Sequence, residues 1–296
     1  MPDFSHCLRK AFTNDLYGKL VKGNSINLVG PRFNGRLRLL EDLAQLARQD
    51  GNTAVVVDMN HWKTDYEGFV NHAQEQVLLA APASVPEEAS RALVPAEHLS
   101  KALSAQLPHH QRIILLLNNF DAILDNPQRR FPKTFFDDLN SLRHKSNLSL
   151  CAVTQKSHLQ STIYYKEETE FKNTLSWLEL EIVELARPTL SEVREELNRR
   201  LQEVSHWREE PEKERFVVAV QDHTAFYRFM EIVCNSFGMN HQQISAEMRL
   251  QQCYMSFEKN YRRAPENPWP GMLSKGQKIV DYWVGVIERI GNILKP

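Results

Sequence analysis

A short stretch early in the chain constrains the fold more than any other part of the sequence. It reads SINLVGPRFNGRL from Ser25 to Leu37, an apolar strand followed by a loop with two glycines and a leucine-rich helix. A phosphate-binding loop has the pattern G-x-x-x-x-G-K-[ST], in which backbone N–H groups wrap a phosphate, the lysine reaches the outer phosphates and the hydroxyl holds Mg²⁺. Gly30 and Gly35 have this spacing, but Arg36 occupies the lysine position and Leu37 the hydroxyl position. The stretch therefore predicts the turn and the positive helix start of a phosphate site that lacks its magnesium ligand.

A second apolar strand shows a matching departure. Five consecutive aliphatic residues, 113–117, lead into Asn118 and Asn119. An ATPase with a phosphate-binding loop needs an acidic residue at the end of such a strand to hold Mg²⁺, usually followed by a carboxylate that orients the attacking water. Amides form hydrogen bonds but bring no negative charge to a divalent cation. We therefore expect no bound metal ion and assign no catalytic residue.

The apolar pattern of the first part of the chain predicts an α/β fold with mostly parallel strands. Strands are predicted at 26–29, 53–58, 113–117, 148–153 and 177–183, and helices at 3–22, 40–47, 62–80, 99–107 and 135–142. The strand, helix and strand between residues 26 and 58 have the length of a right-handed βαβ unit. After Arg187 and Pro188 the pattern becomes helical, beginning with a capping box at Thr189 and Glu192. We expect an α/β domain to about residue 186 and a helical remainder.

Composition excludes several classes of function. Lys and Arg total 36 against 37 Asp and Glu, a formal charge of −1, so only a local basic surface could bind nucleic acid or an anionic membrane. The four cysteines, Cys7, Cys151, Cys234 and Cys253, lack zinc-site spacing and the pattern of a secreted disulfide framework. The sequence shows no signal peptide and no apolar run long enough to span a membrane. We therefore expect a soluble protein of the reducing cytoplasm.

With both motifs considered together, the sequence resembles the P-loop ATPases of the AAA+ and STAND group. The segment 25–37 is similar to their Walker A motif, and 113–121 is similar to their Walker B motif. Thr154 falls where these families carry a sensor residue, and the segment 185–201 is similar to the passage into their helical lid. The resemblance covers roughly residues 20–240.

The resemblance implies a division of the chain into three parts. Residues 1–186 would form a P-loop NTPase-like α/β domain with a three-layer arrangement around mostly parallel strands. Residues 187–263 would form a helical lid domain, and residues 264–296 a linker and a C-terminal helix. Where STAND lids usually show Gly-x-Pro, this chain has Asp222, His223 and Thr224.

The resemblance also implies a nucleotide site with ATP or ADP as the cofactor. Its cofactor-binding positions would be Gly30, Asn34, Gly35, Arg36, Leu37, Asn118, Asn119 and Thr154. Three of these depart from the family pattern, with Arg36 for Lys, Leu37 for Ser or Thr, and Asn118 for Asp. Arg36 keeps a positive charge suited to phosphate oxygens, but its bulk could fill the loop with its own guanidinium. Metal-free binding of ATP or ADP and an empty loop both remain open, and we favour the empty loop.

Other polar residues carry weaker signals. Asp58 follows a strand, where a carboxylate more often caps a turn than binds a ribose. Arg129, Arg130 and Arg143 are more typical of a solvated surface than of arginine fingers, and the histidines lack metal-ligand spacing. Basic and aromatic residues alternate between 257 and 263. That arrangement could contact nucleic acid, but it more often forms a solvated helix face.

Three functions are compatible with the sequence. The first is a degenerate AAA+ or STAND-like pseudo-ATPase that serves as a regulatory, scaffold or adaptor subunit of a larger assembly. The second is an active ATP-binding and hydrolysing switch, and the third is a DNA-engaging accessory of defence or transposition. We favour the first, because the departures fall on the metal and phosphate chemistry while the apolar framework is intact. A protein partner is expected on the lid or on a C-terminal helix with the apolar residues Ile279, Trp283, Ile287, Ile290 and Leu294.

Overall fold

The structure is a computed structural model that describes residues 7–79, 99–104, 112–124, 131–145, 147–160, 162–163, 172–173, 180–239 and 244–261. The chain divides into two compact units, Met1–Arg187 and Pro188–Pro296. The first unit contains every residue that the sequence assigns to the nucleotide site.

Among its described residues, the first unit contains a parallel sheet of five strands. The strands of the unit are β1 (Ile26–Val29), β2 (Thr53–Asp58), β3 (Ile113–Asn118), β4 (Leu148–Thr154), the antiparallel pair β5 (Thr162–Ile163) and β6 (Lys172–Asn173), and β7 (Glu181–Glu184). The spatial order of the sheet is β2-β3-β4-β1-β7, and each neighbouring pair is parallel. The loop after β1 therefore opens at the same edge as the ends of β3 and β4.

Alternate residues of the strands face two separate apolar cores. In β3, Ile113, Leu115 and Leu117 belong to one core, whereas Ile114 and Leu116 belong to the other. The helices are α1 (Lys10–Val21), α2 (Arg36–Gln49), α3 (Met59–Trp62), α4 (Tyr66–Leu79), α5 (Leu99–Ser104), α6 (Asp121–Leu124) and α7 (Lys133–Lys145). Residues of α4 to α7 complete the first core, and residues of α1 and α2 complete the second. This arrangement confirms the predicted three-layer P-loop NTPase-type fold.

The second unit is helical over its described residues. Its helices are α8 (Leu190–Arg200), α9 (Ser205–Arg208), α10 (Lys213–Asp222), α11 (Phe226–Met239) and α12 (Ala246–Tyr261). The predicted capping box is present: the Thr189 hydroxyl accepts from the Glu192 N–H at 3.2 Å, and the Glu192 carboxylate accepts from the Thr189 N–H at 2.8 Å. Trp207, Phe216 and Phe237 pack edge to face with ring centroids 5.0 to 6.1 Å apart. Large aromatic side chains therefore hold these helices together.

The structure corrects the bounds of three predicted elements. The first helix begins at Lys10 rather than residue 3, because the described residues before it form a turn. A single helix over 62–80 is wrong, since α3 and α4 are separate; the Asp65 carboxylate accepts from the Gly68 N–H at 2.9 Å and starts the second helix. The fifth strand is Glu181–Glu184 rather than 177–183.

Two features of the second unit differ from the sequence pattern. α12 agrees with the predicted helical remainder, in which Ile244, Met248 and Met255 have helical spacing. Met248 and Met255 are exposed, however, and the buried face consists of Ala246, Arg249, Leu250 and Cys253. The apolar pattern does not predict α9 and α10, because charged residues around 208–215 obscure the short apolar repeat at Phe216, Val217 and Val220.

Some expectations concern residues outside the described part of the chain. The C-terminal helix, its five apolar residues and the linker that precedes it lie there, as do Arg129, Arg130, Arg262 and Arg263. Within the described ranges, every helix is too short or too polar to cross a membrane. In the same ranges, His, Cys, Asp and Glu side chains form no group of three or more that could hold a metal ion.

Candidate functional site

Three strand ends bring the predicted site residues together at one edge of the sheet. Gly30 follows β1, Thr154 ends β4, and Asn118 and Asn119 lie at the end of β3. The strand order places β4 between the two motifs, and the Gly30 N–H donates to the Thr154 carbonyl oxygen at 2.9 Å. Residues that are distant in sequence thus meet at the carboxyl ends of parallel strands, where open α/β sheets bind their ligands.

The loop of residues 30–35, here called the phosphate loop, contains two left-handed residues. Gly35 lies at the N-cap of α2 with a φ of 72°, a conformation that glycine adopts without steric cost. Phe33 has a φ of 66°, which costs a residue with a bulky side chain about 1 kcal/mol or more. No side chain caps the N-terminus of α2, so its first N–H groups lie at the positive end of the helix dipole without an intrahelical partner. The phosphate loop therefore retains the backbone of an anion site.

Gly30 is required for packing as well as for the turn. A Cβ atom at this position would lie 2.7 Å from the Cβ of Leu185, which is closer than real side chains approach. Leu185 follows β7 and is fixed by a hydrogen bond from its N–H to the Val29 carbonyl oxygen at 2.8 Å. The first glycine of the motif is therefore needed by the fold, whether or not a ligand is bound.

The guanidinium of Arg36 turns back into the phosphate loop. Nη1 donates to the Gly30 carbonyl oxygen at 3.2 Å, and Nη2 donates to Oδ1 of Asn119. Arg36 is 6% exposed, and within the described residues it forms no ion pair with a carboxylate. Burial lowers the pKa of the Arg36 guanidinium, although the negative charge of Asp121 opposes that shift. The side chain at the lysine position thus binds the loop of its own chain.

Asn119 connects Arg36 to the end of β2. Its Oδ1 accepts from Arg36, while its Nδ2 donates to Oδ1 of Asp58 at 2.9 Å. Asp58 also caps α3 by accepting from the Asn60 N–H at 3.0 Å, the role that the sequence favours for it. An amide suits this place because it accepts and donates at once, whereas an ionised carboxylate could only accept. The amide at the end of β3 is therefore part of a hydrogen-bonded chain across two strands.

The other predicted site residues have different surroundings. Oδ1 of Asn34 and Oδ1 of Asn118 are buried without a hydrogen-bond partner among the described residues. Thr154 is buried, and its hydroxyl accepts from Nδ2 of Asn27 at 2.8 Å. Leu37 is 45% exposed and brings no oxygen atom to the site. The two unsatisfied amide oxygens mark places where a water or a ligand could still bind.

Two residues outside the predicted set hold the site in place. Asn27 lies within β1 and also donates from Nδ2 to the Ala152 carbonyl oxygen at 3.0 Å. A polar residue inside a buried apolar strand was a signal that could have identified it. Arg9 is 3% exposed and donates from Nη2 to the Asn34 carbonyl oxygen at 2.6 Å. No pattern in the sequence distinguishes this arginine from a solvated one.

This chain is similar to known proteins in structure rather than in sequence. No protein-family model and no curated protein matches the sequence. Among solved structures, the Walker-type ATPase PABY2304 of Pyrococcus abyssi is similar, with a TM-score of 0.54 and 12% identity over 86% of this chain and 75% of that one. The likeness extends over most of both chains and agrees with the parallel sheet described above. The chain has the fold of a Walker-type P-loop ATPase.

Two other solved structures are similar at lower TM-scores. The Orc1 protein of Aeropyrum pernix, solved in complex with DNA, gives a TM-score of 0.49 and 15% identity over 85% of this chain and 65% of that one. AMPPCP-bound DnaA from Aquifex aeolicus gives 0.47 and 15% identity over 86% of this chain and 69% of that one. The chain therefore spans less than two thirds of the length of the Orc1 protein. At these identities a likeness shows the fold alone, and the P-loop NTPase fold predicted from the two motifs is confirmed by the parallel sheet and by the Walker-type ATPase structure.

Proposed function

We propose that this chain is a pseudo-ATPase, a degenerate AAA+ or STAND-like subunit that gives a larger assembly a regulatory, scaffold or adaptor element without turning over ATP. The observation that supports the proposal is the placement of Arg36. The side chain in the lysine position binds Gly30 and Asn119 of its own chain. A guanidinium engaged in this way is not free to reach the outer phosphates of a nucleotide.

The chemistry of phosphoryl transfer supports the same proposal. Catalysis of this reaction depends on positioning and on electrostatic stabilisation by a lysine and Mg²⁺. Removal of one stabilising donor from an enzyme site typically lowers turnover about 10²- to 10³-fold. In this chain Leu37 occupies the position of the Mg²⁺-binding hydroxyl, and Asn118 and Asn119 occupy the positions of the metal-binding and water-orienting carboxylates. We expect the combined losses to leave no appreciable Mg²⁺-dependent ATPase activity.

The residues present do not fit a magnesium ion. Mg²⁺ takes oxygen ligands and is usually held by one or two carboxylates together with substrate phosphates. Leu37 offers a partly exposed apolar side chain, and the unpartnered amide oxygen of Asn118 is neutral. The two positions that hold the metal in the resembled families therefore bring it no charged oxygen ligand.

A second candidate function is a nucleotide-gated switch. It is favoured because the buried Arg36 forms no ion pair among the described residues, although Asp121 and Asp58 act on its charge from farther away, and because no side chain caps the start of α2 beside it. An anionic phosphate would compensate this buried charge, so ATP or ADP could bind without metal. Binding would require Arg36 to leave Gly30 or Asn119, which is why we favour the closed, empty loop.

Restoring the motif tests the pseudo-ATPase proposal. The variant combines Arg36→Lys, Leu37→Thr and Asn118→Asp, because each change alone leaves the site incomplete. We expect no phosphate release above background from the wild type with Mg²⁺-ATP, and a gain of Mg²⁺-dependent ATP binding in the triple variant. Multiple turnovers by the wild type that Arg36→Ala abolishes would show an active ATPase instead. Arg38→Ala is the matched control, since Arg38 pairs with Asp42 one turn along α2.

The remaining parts of the proposal concern domains, partners and location. We propose that the second unit acts as the helical lid, and that a protein partner binds the lid or the apolar residues near the C-terminus. DNA is the alternative partner, through the basic residues near Lys259, and would show strongly salt-dependent binding. The four free cysteines are in keeping with the reducing cytoplasm.

A further inference from the structure

Arg9 joins two segments of the first unit that lie far apart in sequence. Its Nε donates to the Ala186 carbonyl oxygen at 2.7 Å, and its Nη2 donates to the Asn34 carbonyl oxygen at 2.6 Å. Asn34 belongs to the phosphate loop. Ala186 belongs to residues 185–187, here called the connector, after which the chain enters the second unit at Pro188. We infer that Arg9 is a positioning residue that holds the phosphate loop and the connector together as one mechanical element.

The chemistry of arginine suits this role. A guanidinium is a planar fork with donors in fixed directions, so one group bonded to two carbonyl oxygens fixes the distance between them. Arg9 is 3% exposed, and charge-assisted hydrogen bonds shielded from water are stronger than those between neutral groups. A lysine at this position would bring the charge without the fork.

The backbone of Arg9 is itself anchored. Its carbonyl oxygen accepts from the N–H and from the hydroxyl of Thr13, each at 2.8 Å. The thiol of Cys7 lies 3.2 Å from the Thr13 hydroxyl and 3.5 Å from Oδ2 of Asp42 on α2, and its one hydrogen is shared between these two acceptors. The start of α1 is therefore bonded to α2, the helix that follows the phosphate loop. Because of these bonds, Arg9 is not free to shift along with a movement of the loop.

A second contact links the same two segments independently. At the other end of the phosphate loop, Leu185 of the connector occupies the space that a Cβ atom on Gly30 would need. The Leu185 N–H donates to the Val29 carbonyl oxygen at 2.8 Å. Both ends of the phosphate loop thus contact the connector, one through packing and the other through Arg9. A rearrangement of the loop must either move the connector or break the bonds of Arg9, whether or not the loop hydrolyses ATP.

Residue-resolved hydrogen exchange of the full-length protein tests this inference. The reporter is the Leu185 amide, and the Glu181 amide, bonded to the Ser25 carbonyl oxygen at 2.9 Å at the other end of β7, is the internal control. We expect Arg9→Gln to accelerate exchange at Leu185 by about tenfold or more, the typical worth of a hydrogen bond to a charged group. Exchange at Glu181 should stay unchanged. Lys10→Gln is the matched control, since it removes the same charge from an exposed neighbour.

The outcomes separate coupling from general stability. An equal acceleration at Leu185 and Glu181 would mean that Arg9 only stabilises the whole unit, and no acceleration would mean that it does not hold the connector. If Arg9→Gln does not fold, Arg9→Lys keeps the charge without the fork and should give a smaller acceleration confined to Leu185. In a cycle of Arg9→Gln with Gly30→Ala, the unfolding constants should depart from additivity by a factor of about three or more. Additive effects would overturn the inference, while the ATPase result leaves it unaffected.

Discussion

Replacement of Gly30 by alanine should destabilise the first unit, although it adds only one methyl group. The new Cβ would lie 2.7 Å from Cβ and 2.8 Å from Cδ2 of Leu185. Rotation of the leucine side chain cannot move its Cβ, and the Leu185 N–H is bonded to Val29. Overpacking of this kind costs about 1–3 kcal/mol, and the reduced freedom of the unfolded chain offsets about 0.4–1 kcal/mol. We therefore expect the free energy of unfolding to fall by about 1–2 kcal/mol.

Gly18 provides the matched control for this prediction. A Cβ there would meet nothing within 4 Å beyond its own helix backbone and chain neighbours, so Gly18→Ala should stabilise the protein by about 0.5–1 kcal/mol. Urea unfolding of the full chain, followed by circular dichroism with linear extrapolation, measures both effects. In a Leu185→Gly background the cost of Gly30→Ala should fall, because the atoms that would clash are absent. A cost below about 0.5 kcal/mol, or an equal cost in both backgrounds, would refute the steric reasoning.

Three further changes test other parts of the structure. Burial raises the pKa of Glu196, but hydrogen bonds from two arginines of α8 outweigh it and hold that pKa below its ordinary value of 4.5. The ionised carboxylate therefore stabilises the fold fully above the pKa of the unfolded chain, and this stabilisation is lost as the pH falls through the lower folded pKa. Glu196→Gln should flatten the acid side of a plot of Tm against pH. Parallel curves for the variant and the wild type would contradict this. Asn119→Leu should lower Tm, because it removes both the oxygen that accepts from the buried Arg36 and the amide that donates to Asp58; an unchanged Tm would show that these bonds do not stabilise the unit. Truncation after Gly271 should remove a partner or solubility, as measured by co-purification and light scattering, and a truncated chain that keeps both would show that the C-terminal residues are not a docking surface.

The strands and the phosphate loop could be predicted because their signals are local. The aliphatic run at 113–117 indicates a buried strand, and the polar residues after it indicate where the strand ends. The break before α4 depends on a single capping carboxylate, Asp65, which an apolar repeat does not reveal. Met248 and Met255 do share one face of α12, but spacing alone does not show which face of a helix is buried.

The positions of the site residues were predictable, whereas their contacts were not. Parallel strands end at one edge of a sheet, so Gly30, Asn118 and Thr154 had to lie near one another. The direction of the Arg36 guanidinium depends on the Asn119 amide, which the chain reaches only after two more strands. Arg9 bonds to the backbone carbonyl of Asn34 in the loop and to that of Ala186 in the connector. Every residue type has a backbone carbonyl, so the identity of the partner residue does not reveal such a bond.

The nucleotide content of freshly purified protein tests most directly whether Arg36 closes the phosphate loop. The protein is denatured, the supernatant is analysed for ATP and ADP by chromatography, and thermal shift is then measured with each nucleotide in the presence and absence of Mg²⁺. A closed, empty loop predicts no released nucleotide and no shift of Tm with either nucleotide. Co-purified ATP or ADP, or a stabilisation that Gly35→Asp removes, would contradict the closed loop and show that the protein is a nucleotide-gated switch.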